Sequence, residues 1–248
     1  MLVDTHCHLH DQQWFTPEQQ AEFLQSARQK GVEQIICIGT DTQDSQNARD
    51  FANVRDGVYW TYGVHPEFAS QIDLKNVIEE AKAVFANGLP VAIGEIGLDY
   101  HYDGYDRDAQ LKLFEQMLQL ARDYELPVAL HIREAFADVW SVLDNFTGLS
   151  GVLHSFTGSK KALRAALERG FYVGVNGLAT YTTTPLPPLE KMLLETDAPF
   201  LTPAPYRGTI NSPQHVRDIA LYLSEELGVA FETIVEQTTN NAKKLFHI

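Results

Sequence analysis

The chain opens with two histidines separated by a single residue, in the run Asp4-Thr5-His6-Cys7-His8. They end an apolar stretch, and residues i and i+2 of a strand point to one face, so a strand end here presents two imidazoles side by side. Two adjacent imidazoles can grip a metal ion. A lone His-x-His pair is more often core or surface histidine, and the pattern gains weight because ligand types recur where other apolar runs stop. Those places are Gly94-Glu95, Leu130-His131, Leu153-His154 and Glu195-Thr196-Asp197. Neutral histidine and carboxylate suit borderline and hard divalent ions such as Zn²⁺, Mn²⁺ or Mg²⁺. The six ligands His6, His8, Glu95, His131, His154 and Asp197 exceed what one ion with an open position needs. A pair of divalent ions is therefore expected, bridged by a carboxylate at a separation of roughly 3.5 to 4 Å. Two such ions and two carboxylates leave a charge of about +2, which attracts an anionic substrate and acidifies water. That chemistry is hydrolysis of phosphate or acyl bonds. Glu195 alternates with Asp197 across Thr196 and is expected one step deeper, supporting the ligands or contacting a helix. Cys7 falls between the two histidines and should face away from them.

These groups can converge only if the elements carrying them lie side by side. Eight short apolar or β-branched runs read as strands: Leu2 to His6, Gln34 to Ile38, Val58 to Val64, Val91 to Glu95, Val128 to His131, Gly151 to His154, Tyr172 to Val175 and Met192 to Thr196. Amphipathic patterns lie between them. Thr16-Pro17-Glu18-Gln19 reads as a capping box with proline at the first helical position, and Gly31 ends the helix that follows. Leu111, Phe114, Leu118 and Ala121 recur at helical spacing, as do Val216, Ile219, Ala220 and Leu223. Alternating strands and helices without an internal repeat argue for a parallel sheet covered by helices. Eight units in 248 residues fit an α/β fold of the (β/α)₈ TIM-barrel type as one domain over 1–248, better than an open doubly wound sheet. No GxGxxG follows the first strand, which disfavours a dinucleotide fold. In a barrel the functional groups stand at the C-terminal ends of strands, and the six ligand types sit at such ends. The stretch Thr180 to Leu189 has no regular pattern and is expected to be a loop, as is Ala204 to Ser212.

Composition narrows the partners. Nineteen Lys and Arg against 33 Asp and Glu give a formal charge of −14, which argues against a broad basic surface binding many duplex phosphates. Any nucleic acid must be held locally at the metal site. No apolar run approaches the roughly 18 to 20 residues that span a bilayer, and no secretory signal is evident, so no membrane partner and a cytoplasmic location are expected. The two cysteines, Cys7 and Cys37, form no CxxC and are expected to be buried thiols.

Several further blocks extend the pattern along the chain: Gly63-Val64-His65-Pro66, Gly94-Glu95-Ile96-Gly97-Leu98-Asp99-Tyr100, Pro127 through His131 with Arg133-Glu134-Ala135, His154-Ser155-Phe156-Thr157-Gly158, Leu194 through Pro199, and Asn241 through Phe246. Together with the opening run they resemble the TatD family of metal-dependent deoxyribonucleases, within the amidohydrolase superfamily of metal barrels. The resemblance implies that His6, His8 and Glu95 hold one metal with Asp197 completing it, that Glu95, His131 and His154 hold the second, and that Glu95 bridges. It implies Asp197 and Glu95 as the catalytic pair, with Asp197 as general base for a metal-activated water. Around the metals, His65, Asp99, Tyr100, Arg133 and Arg207 are expected to contact the phosphate or leaving group, the arginines through their planar forks.

Two departures bear on the substrate. The family often shows Arg-Gly-Lys-Arg-Asn after the last strand, whereas this chain has Arg207-Gly208-Thr209-Ile210-Asn211, and His10 stands where an acidic residue is usual. The primary expectation is DNA phosphodiester hydrolysis. The alternatives are a metal-dependent ester or amide hydrolase of deacylase type, on a small or tRNA-linked substrate, and a non-catalytic binding module stabilised by metal. A structural metal site is normally closed by four ligands, which weighs against the last.

Overall fold

A computed structural model describes residues 1–248. Its eight strands are β1 (Leu2–Cys7), β2 (Val32–Cys37), β3 (Val58–Tyr62), β4 (Ala92–Asp99), β5 (Val128–Arg133), β6 (Gly151–Leu153), β7 (Tyr172–Val175) and β8 (Met192–Leu194). Each pairs in parallel with the next, in chain order. The ring closes between the first and last strands. Cys7 bridges Ala198, the Asp197 amide donates to the His6 carbonyl at 2.8 Å, and the His8 amide donates to the Ala198 carbonyl at 2.7 Å. The fold is the expected (β/α)₈ barrel.

The helices are α1 (Pro17–Gln29), α2 (Thr42–Asn53), α3 (Leu74–Phe85), α4 (Arg107–Asp123), α5 (Phe136–Leu143), α6 (Lys160–Glu168), α7 (Val216–Leu227) and α8 (Phe231–Phe246). The capping box forms as read: the Thr16 hydroxyl accepts from the Gln19 amide and the Gln19 side chain accepts from the Thr16 amide. Alternation fails once, between β7 and β8, where only two short 3-10 turns occur, Gly177–Thr180 and Leu189–Lys191. The core has two parts. A large cluster lies between strands and helices, and it contains Cys7 and Cys37, both free thiols. A smaller one gathers Val3, Ile36, Ala92, Ala129, Val152 and Leu193 with Ala242, Leu245 and Phe246 of α8. The end of α8 therefore packs with residues from successive strands, and Asn241 ties it down by donating to the Leu189 and Met192 carbonyls at 2.8 Å each.

Strand ends differ from expectation where side chains or glycines take over. β4 continues past Glu95 to Asp99 because Ile96 through Asp99 keep pairing with Leu130 through Arg133. Gly97 permits this: its φ is +146°, and a Cβ there would lie 1.9 Å from the His131 carbonyl oxygen. β8 stops at Leu194 because the Asp4 carboxylate takes over the bonding, accepting from the Thr196 amide at 2.9 Å and hydroxyl at 2.6 Å. Burial pushes the Asp4 carboxyl well above its ordinary range. No helix is long and apolar enough to cross a membrane.

Candidate metal centre

The predicted ligand residues meet at one mouth of the barrel. His6 Nε2 lies 3.5 Å from Glu95 Oε2 and 3.7 Å from Asp197 Oδ1. His8 Nε2 and His154 Nε2 approach the same Asp197 oxygen at 3.6 and 3.7 Å. The His6 and His154 rings stack with centroids 3.4 Å apart. His131 enters from β5, with Nδ1 2.9 Å from Glu95 Oε1. Donor atoms fall into three sets that could each hold an ion: His6, Glu95 and His154; His6, His8 and Asp197; and His65, Glu95 and His131. Glu95 belongs to two of them. The third differs from the expected set by bringing His65 beside His131, with rings 4.4 Å apart, where His154 was expected.

The residues fit a divalent cation by an internal test. His6 Nε2 is buried without a hydrogen-bond partner, and such an orphaned atom is costly unless something binds it. The neighbouring atoms are oriented to match. His8 Nδ1 is 3.1 Å from the Ile38 carbonyl, so that nitrogen carries the proton and Nε2 turns its lone pair to the centre. His154 Nδ1 lies 3.1 Å from Glu195 Oε1, a charge contact without hydrogen-bond geometry. Glu195 is in turn held by the Ser155 amide at 2.6 Å and the Asn176 amide nitrogen at 3.2 Å. Gly174 makes room for it, since a Cβ there would lie 2.2 Å from the carboxylate. Glu195 thus stands one step deeper, beside His154, as its alternation with Asp197 implies.

Protonation follows from burial set against neighbouring charge. Burial pulls His6 down, and the facing His154 pulls it further. Burial opposes protonation of His154 as well, but Glu195, Asp197 and Glu95 outweigh it and push it up to about 10. Burial likewise opposes His131, which Asp99 and Glu95 push up to about 9. For Glu95, burial is overcome by His154 and His131, which hold the carboxyl well below its ordinary range. For Asp197, burial is overcome by His154 and His8, so it too is lowered. Asp197 has a φ of 57°, in the left-handed region that side chains other than glycine rarely take, and such outliers gather at functional sites.

The expected substrate contacts divide. His65 and Arg133 line the mouth cavity of about 770 Å³, together with Asp99. Asp99 also braces His131: its carboxylate lies 2.9 Å from His131 Nε2, and Gln110 of α4 clamps its backbone with two bonds of 2.8 Å. Tyr100 points to α5, donating to Asp138 at 2.7 Å and stacking on Tyr105. Arg207 lays its guanidinium 3.9 Å over Tyr181 and does not line the cavity. His10 is buried, with Nε2 2.9 Å from Asp44 Oδ1 of α2. The cavity carries six carboxylates, Asp11, Asp44, Glu67, Glu95, Asp99 and Asp197, against one guanidinium, Arg133. The charge inferred from strand ends counted only Glu95 and Asp197, because acids in loops and on α2 carry no mark of facing the mouth.

Asn211 is missed by sequence reasoning. It is fully buried, and its side-chain amide donates to the Thr196 carbonyl at 2.9 Å and the Phe200 carbonyl at 2.6 Å, fixing the turn that carries Asp197. A lone asparagine in an irregular segment gives no periodic signal.

A parallel barrel with histidines and carboxylates gathered at the C-terminal mouth defines the class of metal-dependent hydrolase barrels. Residues 3–247 match the family model described as TatD related DNase, and the chain belongs to that family of metal-dependent hydrolases. It is 35% identical to the uncharacterized metal-dependent hydrolase YabD of Bacillus subtilis over 261 residues, covering 100% of each chain. It is 34% identical to the 3′-5′ ssDNA/RNA exonuclease TatD of Pantoea ananatis, covering 90% of this chain and 91% of that one. Among solved structures, the TatD homologue YJJV of Escherichia coli superposes with a TM-score of 0.90 at 29% identity, covering 100% of this chain and 98% of that one.

Proposed function

We propose that this protein is a phosphodiesterase acting on nucleic acid, DNA in the first instance, with two divalent ions at the barrel mouth. The observation that carries the reading is the convergence of His6, His8 and His154 on one Asp197 oxygen while His6, His131 and His154 approach Glu95. His6, His8, Glu95 and Asp197 would hold one ion, and Glu95, His131 and His154 the other, with Glu95 shared. Bound there, two divalent cations would polarise phosphoryl oxygens and acidify water. Asp197, ionised at neutral pH, accepts the proton released by the attacking water. Arg133 on the cavity wall pairs with a phosphate oxygen through its fork, and the Asp99–His131 contact keeps the imidazole aimed at Glu95. The relative named as an ssDNA/RNA exonuclease supports a nucleic-acid substrate.

The test is protein reconstituted separately with Mg²⁺, Mn²⁺ and Zn²⁺ and assayed on single-stranded DNA, duplex DNA, small phosphodiesters, carboxylic esters and amides, with Asp197→Asn as control. Phosphodiester cleavage that Asp197→Asn abolishes is expected. Turnover confined to esters or amides, or none with any ion, overturns the reading.

A further inference from the structure

The mouth has an aromatic lip that the metal centre does not use. Trp14 and Phe200 are 49% and 44% exposed, and their rings meet edge to face with centroids 5.2 Å apart. Both line the cavity that contains the ligand residues, and the Phe200 ring stands 6.4 Å from the His8 ring. They come from opposite ends of the sequence, Trp14 from the loop after β1 and Phe200 from the turn after Asp197. Both loops are anchored beneath: neighbouring Phe15 is fully buried against Phe23, and the Phe200 carbonyl is held by Asn211. Two large apolar rings kept exposed on rigid supports beside a reactive centre are a binding surface rather than unfinished core.

Charge indicates what they bind. Arg133 is the only Lys or Arg facing a cavity that carries six carboxylates, so side-chain cations cannot supply most of the grip on a polyanion. Beside the phosphate contacts that the divalent ions and Arg133 would make, a sequence-tolerant grip on a nucleic acid comes from stacking of unpaired bases on aromatic rings. We infer that Trp14 and Phe200 form a stacking platform for the unpaired base of a nucleotide flanking the scissile linkage. This rests on the phosphodiesterase reading. A base still paired in a duplex cannot reach the platform without leaving its stack.

The experiment is a double-mutant cycle between protein and substrate. Wild type, Trp14→Ala, Phe200→Ala and Trp14→Phe are assayed on a single-stranded oligonucleotide and on copies carrying an abasic residue at one or the other nucleotide flanking the cleaved linkage. Stacking predicts that wild type loses about 5- to 100-fold in kcat/KM on one abasic substrate, mostly through KM. Trp14→Ala and Phe200→Ala should lose a similar factor on the intact substrate and no longer distinguish it from the abasic one, while Trp14→Phe recovers most of the discrimination. Binding measured by fluorescence anisotropy on an Asp197→Asn background should repeat the pattern without turnover. Equal cleavage of intact and abasic substrates by wild type overturns the platform and leaves the phosphodiesterase reading standing. Cleavage of no phosphodiester overturns that reading itself. Losses in the alanine variants that persist undiminished on the abasic substrates also overturn the platform, because they signal a merely structural role.

Discussion

The two sides of the barrel mouth solve one problem differently. On the side where β1 meets β8, His6 is buried with a nitrogen that no protein group satisfies, and His6, His8 and His154 all turn toward one Asp197 oxygen. On the side where β4 meets β5, both nitrogens of His131 lie 2.9 Å from carboxylates, Glu95 and Asp99. The first arrangement leaves a buried ring nitrogen without a hydrogen-bond partner, whereas in the second both ring nitrogens of one imidazole already face carboxylates. The difference teaches that six residues reading as equivalent along the chain divide into a half with an unpaired buried nitrogen and a half whose imidazole is held between two acids.

The strongest way to break this comparison is to remove its shared groups. Asp197→Asn should lower kcat by about 10²- to 10⁴-fold, as expected for loss of a general base, in steady-state assays on single-stranded DNA. An effect under tenfold would remove Asp197 from the reaction. Next comes the support behind His154: Glu195→Gln should weaken metal affinity by about 10- to 100-fold in competition with a fluorescent chelator. If Asp99→Asn weakens it as much, the two sides are not different in kind.

Both sides share a dependence on pH. In the metal-free protein His131 and His154 hold protons up to about 9 and about 10, and a coordinating nitrogen must release its proton. Metal uptake should therefore expel protons, and apparent affinity should climb as the pH rises from about 6 to about 9. Calorimetry in buffers of different ionisation enthalpy reads this directly, and uptake without proton release would refute it.

The smallest effect lies outside the mouth's centre. Burial opposes protonation of His10, yet Asp44 helps push it up to about 10 from an ordinary 6.5. A raised histidine contributes stability that is complete below about 6.5 and lost as the pH climbs through about 10. Asp44→Asn should thus cost about 1 to 3 kcal/mol in urea melts at pH 6 and progressively less toward pH 10.

Which features could be read from the sequence follows from periodicity. His6, Glu95, His131 and His154 stand where apolar runs end, so a barrel forces them to one mouth whatever the loops do. Asp99 could be placed near the site but not against His131, because that contact depends on β4 running on to Asp99, and only Gly97 allows it. Tyr100 and Arg207 were placed by neighbourhood in sequence alone, and the side chains turn instead to Asp138 and Tyr181. Trp14, Phe200 and Asn211 lie in irregular segments whose course is set by tertiary contacts, so nothing in their spacing brings them together.

Asn211 has one further consequence. A single amide joins the strand end that leads into Asp197 to the backbone of Phe200, so the Asp197 carboxylate and the ring at the lip form one mechanical unit. Under the proposed roles of the two residues, drift in the loop that reshapes the lip also re-aims Asp197, which limits how far substrate preference can change without changing rate.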